Sequence, residues 1–132
     1  MLTGGCHCGR VRYEAEGKLF HPTLCHCRDC RRVSGAPCVA WFTVSSAGFR
    51  ITQGVLRHYA SSARAERGFC GDCGTPILFQ AHDLPQEVDV TTASLDDPEA
   101  VPPADHTQVG SRLSWMRLAD GLRQFRTSRE DG

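Results

Sequence analysis

Residues 4–17 read Gly-Gly-Cys-His-Cys-Gly-Arg-Val-Arg-Tyr-Glu-Ala-Glu-Gly, and two patterns meet in them. Cys6 and Cys8 flank a single residue, so on an extended segment both thiols point to one side and can share a metal while His7 faces away. From 9 to 17, Val11, Tyr13 and Ala15 alternate with Arg10, Arg12, Glu14 and Glu16. That is the period of a strand with one buried face, and it ends at Gly17. A metal-ligating turn feeding straight into a strand predicts a mainly β fold fastened by metal.

The pattern returns further along the chain. Cys25-His26-Cys27-Arg28-Asp29-Cys30 repeats Cys-His-Cys and adds a third thiol, and Cys70-Gly71-Asp72-Cys73-Gly74 is a Cys-x-x-Cys turn eased by its glycines. All eight cysteines lie between Cys6 and Cys73, and seven fall in these three clusters, whereas disulfide frameworks scatter their cysteines along the chain. Clustered thiolates match zinc, and no ferredoxin-like run points to an iron–sulfur centre. His7 and His26, each between two cysteines, read as residues other than ligands.

Structural zinc takes four ligands, and the first and third clusters supply two each: Cys6, Cys8, Cys70 and Cys73. The middle cluster has three, Cys25, Cys27 and Cys30, which is the ligand count of a zinc with an exchangeable fourth position. Cys38 has two readings, a fourth sulfur closing that site or a small buried thiol. Arg28, Arg31 and Arg32 also have two. They either offset the charge of three thiolates and attract an anionic substrate, or form the solvated face of a short helix.

Further strands are predicted at 38–44, 49–52, 55–60, 77–80 and 88–93, with short helical turns at 29–34 and 113–118. From 83 to 105 there are seven acidic residues and no Lys or Arg, read as a strand followed by a solvated loop. At 132 residues the chain holds one domain, taken as 2–126, with a polar tail from 127 to 132. Fifteen basic residues balance fifteen acidic ones, so the basic footprint of a nucleic-acid binder is missing. No apolar run reaches membrane-spanning length, and the N-terminus has neither the basic nor the apolar region of an export signal. The expected compartment is the cytoplasm, where thiols serve as ligands more readily than as disulfides.

Gly4-Gly-Cys-His-Cys-Gly-Arg-Val-Arg-Tyr13, Cys25-His-Cys-Arg-Asp-Cys-Arg-Arg-Val-Ser-Gly-Ala36, Arg67-Gly-Phe-Cys-Gly-Asp-Cys-Gly-Thr-Pro76 and Ala93-Ser-Leu-Asp-Asp-Pro98 together resemble the glutathione-dependent formaldehyde-activating enzyme family, also named for its centromere-protein V relatives. The resemblance implies an Mss4-like fold of several small antiparallel sheets, a structural zinc on Cys6, Cys8, Cys70 and Cys73, and a second zinc on Cys25, Cys27 and Cys30. It also implies carbon–sulfur lyase activity on adducts of a small thiol such as glutathione with an aldehyde such as formaldehyde. His106 and Trp115 resemble positions that recur near the family's C-terminus. A thiol entering an open position on zinc is held as thiolate at neutral pH and is then a nucleophile toward an aldehyde carbon. No Ser-His-Asp set or phosphate loop competes for the chemistry. The alternative is a binding or chaperone-like module in which both zinc sites are structural.

Overall fold

The computed structural model describes residues 1–129 and is mainly β, as the alternation predicts. Strand β1 (Leu2–Gly5) pairs antiparallel with β2 (Arg12–Ala15), and β2 with β5 (Phe49–Gln53), forming a three-stranded sheet. The other strands are β3 (Phe20–Cys25), β4 (Val39–Ser45), β6 (Leu56–Ser62), β7 (Ala65–Cys70), β8 (Pro76–Ala81), β9 (Glu87–Thr91), β10 (Asp105–Thr107) and β11 (Arg123–Gln124). They form one eight-stranded sheet in the order β11-β10-β3-β4-β9-β8-β7-β6, in which β10 runs parallel to both β3 and β11. The helix α1 (Arg28–Ser34) follows β3 directly.

Strand β4 explains how this sheet serves two purposes. Its sequence Val-Ala-Trp-Phe-Thr-Val-Ser has no exposed position before Ser45, as expected of a central strand covered on both faces. Phe42 and Val44 pair with Val90 and Val88 of β9 and face the core, where Tyr13 and Ala15 of β2 and Val11 just before it meet them, each 1% exposed. Trp41 and Thr43 point to the opposite face, which is concave and forms a pocket.

The small sheet is tied to the large one through Tyr13, whose hydroxyl meets Ser94 Oγ at 2.7 Å. Gly4 lies under this ring. A Cβ there would stand 2.4 Å from the Tyr13 oxygen and 2.5 Å from the Ser94 carbonyl, so no larger residue fits. Arg12 and Thr3 both bond Asp96, closing the same seam from outside. Burial pushes the Tyr13 phenol up to about 12. A folded pKa above the unfolded value of 10 means that the domain keeps this contribution below pH 10 and loses it as pH rises toward 12. Ultraviolet titration is expected to show a phenolate that appears late and together with loss of stability, whereas Tyr13→Phe removes that late phase.

Three expectations change. Strands β1, β3, β7, β10 and β11 add to those read from the sequence. In β3, Pro22 and the positive φ of His21 (48°) coincide with a register shift between Phe20 and Thr23, an irregularity that hides the strand from its pattern. The helical turn expected at 113–118 is only a turn at Ser114–Trp115, because Trp115 is 67% exposed and buries no apolar stripe that would sustain a helix. The acidic stretch is, as expected, a strand (β9) followed by a loop exposed at 96–100, and at its end the buried Asp105 is bonded by Arg129. That last bond also docks residue 129 of the expected tail, and Gln108 N–H donates to the Thr127 carbonyl. Residues 130–132 of that tail lie outside the described residues.

Candidate metal centres and the adjoining pocket

Both thiol groups are built by short-range turns. At the first, Gly9 (φ 83°) donates to the Cys6 carbonyl, Cys6 N–H reaches Val11 O, and Val11 N–H points at Cys6 Sγ at 3.2 Å. At Cys70-Gly-Asp-Cys73 the plan is similar: Gly74 (φ 83°) donates to the Cys70 carbonyl and Cys73 N–H points at Cys70 Sγ. Left-handed φ at the closing residue is what requires glycine there. The two turns bring the four sulfurs of Cys6, Cys8, Cys70 and Cys73 within 4.8 Å of one another. Cys6 and Cys8 sulfurs are 3.6 Å apart, and Cys8 and Cys70 sulfurs 3.8 Å. Tetrahedral metal with sulfur at about 2.3 Å requires sulfur separations of about 3.8 Å, so the donor set fits a metal ion of that kind.

The second group sits where β3 runs into α1. Cys25 ends the strand, Cys27 caps the helix with its sulfur accepting Cys30 N–H at 3.2 Å, and Cys30 is buried in the first turn. Gly35 (φ 67°) ends the helix. The three sulfurs lie within 4.8 Å of one another, with Cys30 to Cys25 at 3.6 Å, again the spacing a metal needs. Hydrogen bonds from the Cys25 and Cys30 thiols hold the Cys27 thiol far below its ordinary value, and Cys30 N–H and the charge of Arg67 act in the same direction. The same contact with Cys27 pushes Cys25 up. A negative charge is thus favoured at this cluster.

Cys38 belongs to neither group. It lines a separate hollow with Cys6, Thr75 and Asp96, and burial pushes its thiol up. Nor do the two histidines join: His7 is exposed, and His26 is fully buried with its Nε2 at 2.9 Å from His106 Nδ1. His106 Nε2 donates to Asp120 at 2.8 Å, which leaves its Nδ1 to accept from His26. His106 therefore braces the Cys25–Cys27 loop from behind, and Trp115 lies on the surface.

The Cys25, Cys27 and Cys30 sulfurs border a pocket of about 600 Å³ on the concave sheet face. Arg28, Arg31 and Arg32, expected beside this cluster, are not in it. They line a different hollow with Leu113 and Trp115. Each residue of a helix is rotated about 100° from the last, so with Cys30 and Asp29 turned to the pocket, Arg28, Arg31 and Arg32 project from the other side of the short helix. The pocket's guanidinium at the sulfur cluster is Arg67 of β7, 8% exposed, with Nη2 4.0 Å from Cys30 Sγ. Its carbon lies 4.9 Å from the Phe79 ring centre and 5.9 Å from that of Trp41. Sequence reading passed over Arg67, although it begins the Arg-Gly-Phe-Cys run. Asp89 was also missed; as a carboxylate between Val88 and Val90 it had to face away from the core.

Residues 1–111 match the family described as glutathione-dependent formaldehyde-activating enzyme. The chain belongs to that family. A relative in Schizosaccharomyces pombe, named an uncharacterized lyase, is 35% identical over 79 residues, 58% of this chain and 55% of its own length. The chain thus spans about half of that relative. A Halomonas elongata protein, named a putative glutathione-dependent formaldehyde-activating enzyme, is 24% identical over 127 residues, 89% of this chain and 81% of that one. A solved structure of a Rhodobacter sphaeroides protein superposes with a TM-score of 0.57 at 26% identity, covering 93% of this chain and 98% of the other. In this member of the glutathione-dependent formaldehyde-activating family, two groups of cysteines could hold metal ions. Among the described residues no helix is long and apolar enough to cross a membrane.

Proposed function

We propose that the protein is a zinc-dependent carbon–sulfur lyase of the cytoplasm, acting on adducts of a small glutathione-like thiol with an aldehyde such as formaldehyde. Cys6, Cys8, Cys70 and Cys73 hold a structural zinc, and Cys25, Cys27 and Cys30 hold a second. The observation that carries the reading is the three-sulfur group bordering a large pocket, with Cys38 outside it. Zinc bound there supplies the positive charge that keeps a substrate thiol ionised near neutral pH.

The chain's own residues do the rest. The helix cap fixes Cys27, and the β3–α1 junction fixes Cys25 and Cys30 around it. Trp41 and Phe79 give the pocket an apolar wall that thins water around the reacting groups. In the synthetic direction the thiol sulfur bonds to the aldehyde carbon and the thiol proton ends on the former carbonyl oxygen, giving an S-hydroxyalkyl thioether. The lyase direction breaks that same bond and returns thiol and aldehyde.

Metal analysis of protein prepared without chelator is expected to give two zinc ions per chain. Cobalt-substituted protein is expected to change its visible spectrum when millimolar glutathione is added. A content near one, or a spectrum indifferent to thiols, would move the assignment to a binding module whose metal is structural only.

A further inference from the structure

Of the charged side chains that line the pocket, Arg67 and Asp89 stand on its sheet floor and form no guanidinium–carboxylate ion pair among the described residues. Arg67 is 8% exposed, its Nε and Nη1 have no hydrogen-bond partner, and no carboxylate among the described residues lies within ion-pair distance of it. Of the other two guanidinium groups lining the pocket, Arg129 is committed to Asp105 and Arg64 is exposed. Asp89 accepts the Thr43 hydroxyl at 2.6 Å on one oxygen, and its other oxygen has no partner among the described residues. Burial pushes its carboxyl above the ordinary value.

The sheet register keeps these two apart. Arg67 pairs with Phe79, Phe79 with Asp89, and Asp89 with Thr43, so all four side chains stand in one row across the pocket face. Two strand spacings put the backbones of Arg67 and Asp89 about 10 Å apart, with the Phe79 ring between them. A buried ion without a partner is costly, and a cation and a carboxylate in one pocket would ordinarily relieve each other. Here the guanidinium is instead held near the Phe79 and Trp41 rings, its Nη2 toward Cys30.

We propose that Arg67 and Asp89 are specificity-determining residues that select a peptide-sized zwitterionic thiol, Arg67 taking a carboxylate close to the sulfur and Asp89 an ammonium group further out. The inference rests on the reading of this pocket as a thiol site. The volume of about 600 Å³ suits a short peptide rather than a two-carbon thiol.

The test is calorimetric titration of the zinc-loaded full chain with four thiols: glutathione, its C-terminal amide, its derivative lacking the ammonium group, and 2-mercaptoethanol. Each lost charge is expected to weaken binding about tenfold or more, as for a charge-assisted hydrogen bond. S-methylglutathione, which lacks the thiol, reports the charged ends separately and is expected to retain measurable binding. In Arg67→Met the amide and the free acid bind alike while the penalty for the missing ammonium persists, and Asp89→Asn shows the reverse. If the four thiols bind within about threefold of one another, the charge pair selects nothing and the inference falls while the thiol site stands. If none binds, the thiol-site reading falls with it. The comparison within the wild-type chain decides the matter even if either variant fails to fold or loses metal, which metal content reports.

Discussion

Cys70→Ser is expected to leave the domain unfolded or to lower its melting temperature by tens of degrees. Cys70 is 1% exposed at the end of β7, and its sulfur meets that of Cys8, 62 residues earlier, at 3.8 Å. A structural zinc on these four sulfurs, as proposed, would contribute on the order of 10 kcal/mol, which rivals the 5–15 kcal/mol net stability typical of a whole domain. Losing even part of that, at roughly 3–5 °C per kcal/mol for a chain of this size, removes the transition from the accessible range. The serine hydroxyl is also a poor substitute for a thiolate in a nearly water-free position. Calorimetry on the variant and on wild type treated with a strong chelator checks this, and the two should behave alike. A melting temperature unchanged in both would show that the cluster fastens nothing.

Cys27→Ser is expected to do the opposite: spare the fold and abolish activity. Cys27 is the N-cap of α1, its sulfur accepting Cys30 N–H, and serine is among the preferred residues at that position, so the helix start survives the exchange. What is lost is the thiolate most favoured in its group. Metal content should fall from two to one, with a melting temperature within a few degrees of wild type. Turnover of S-hydroxymethyl glutathione should drop by roughly 10³-fold or more, the several kcal/mol that metal charge contributes to such a barrier. Equal destabilisation by Cys27→Ser and Cys70→Ser would erase the distinction between a fastening site and a working one. A variant that loses the second metal yet keeps full turnover would remove the cluster from the chemistry.

How far the sequence could be read depended on the range of the interaction. The sulfur groups were legible because each is made by a turn of a few residues: Cys6-His-Cys8 with Gly9, Cys25-His-Cys27 with Cys30, Cys70-Gly-Asp-Cys73 with Gly74. Side-chain direction follows from spacing at that distance, whereas the joining of Cys6 and Cys8 with Cys70 and Cys73 was read from the four ligands that structural zinc takes. Strand β2 was legible for the same reason, and β4 from its run of apolar residues. Strand β3 was not, because Pro22 and the register shift break its alternation, and β10 and β11 are too short to carry a pattern.

The sequence by itself determined that the chain is mainly β, that seven of its thiols fall in three short clusters, and that Val11, Tyr13 and Ala15 are buried, since all of these are properties of adjacent residues. Only the tertiary structure decided which charges meet the second cluster. Arg28, Arg31 and Arg32 are its neighbours along the chain, yet the helix turns them into another hollow, while Arg67 reaches it from 37 residues beyond Cys30. Cys38 was likewise undecidable from its position eight residues past Cys30, and its place outside both sulfur groups follows from where β4 begins. The pairing of Arg67, Phe79, Asp89 and Thr43 into one row is a matter of strand register, which joins residues that local pattern cannot relate.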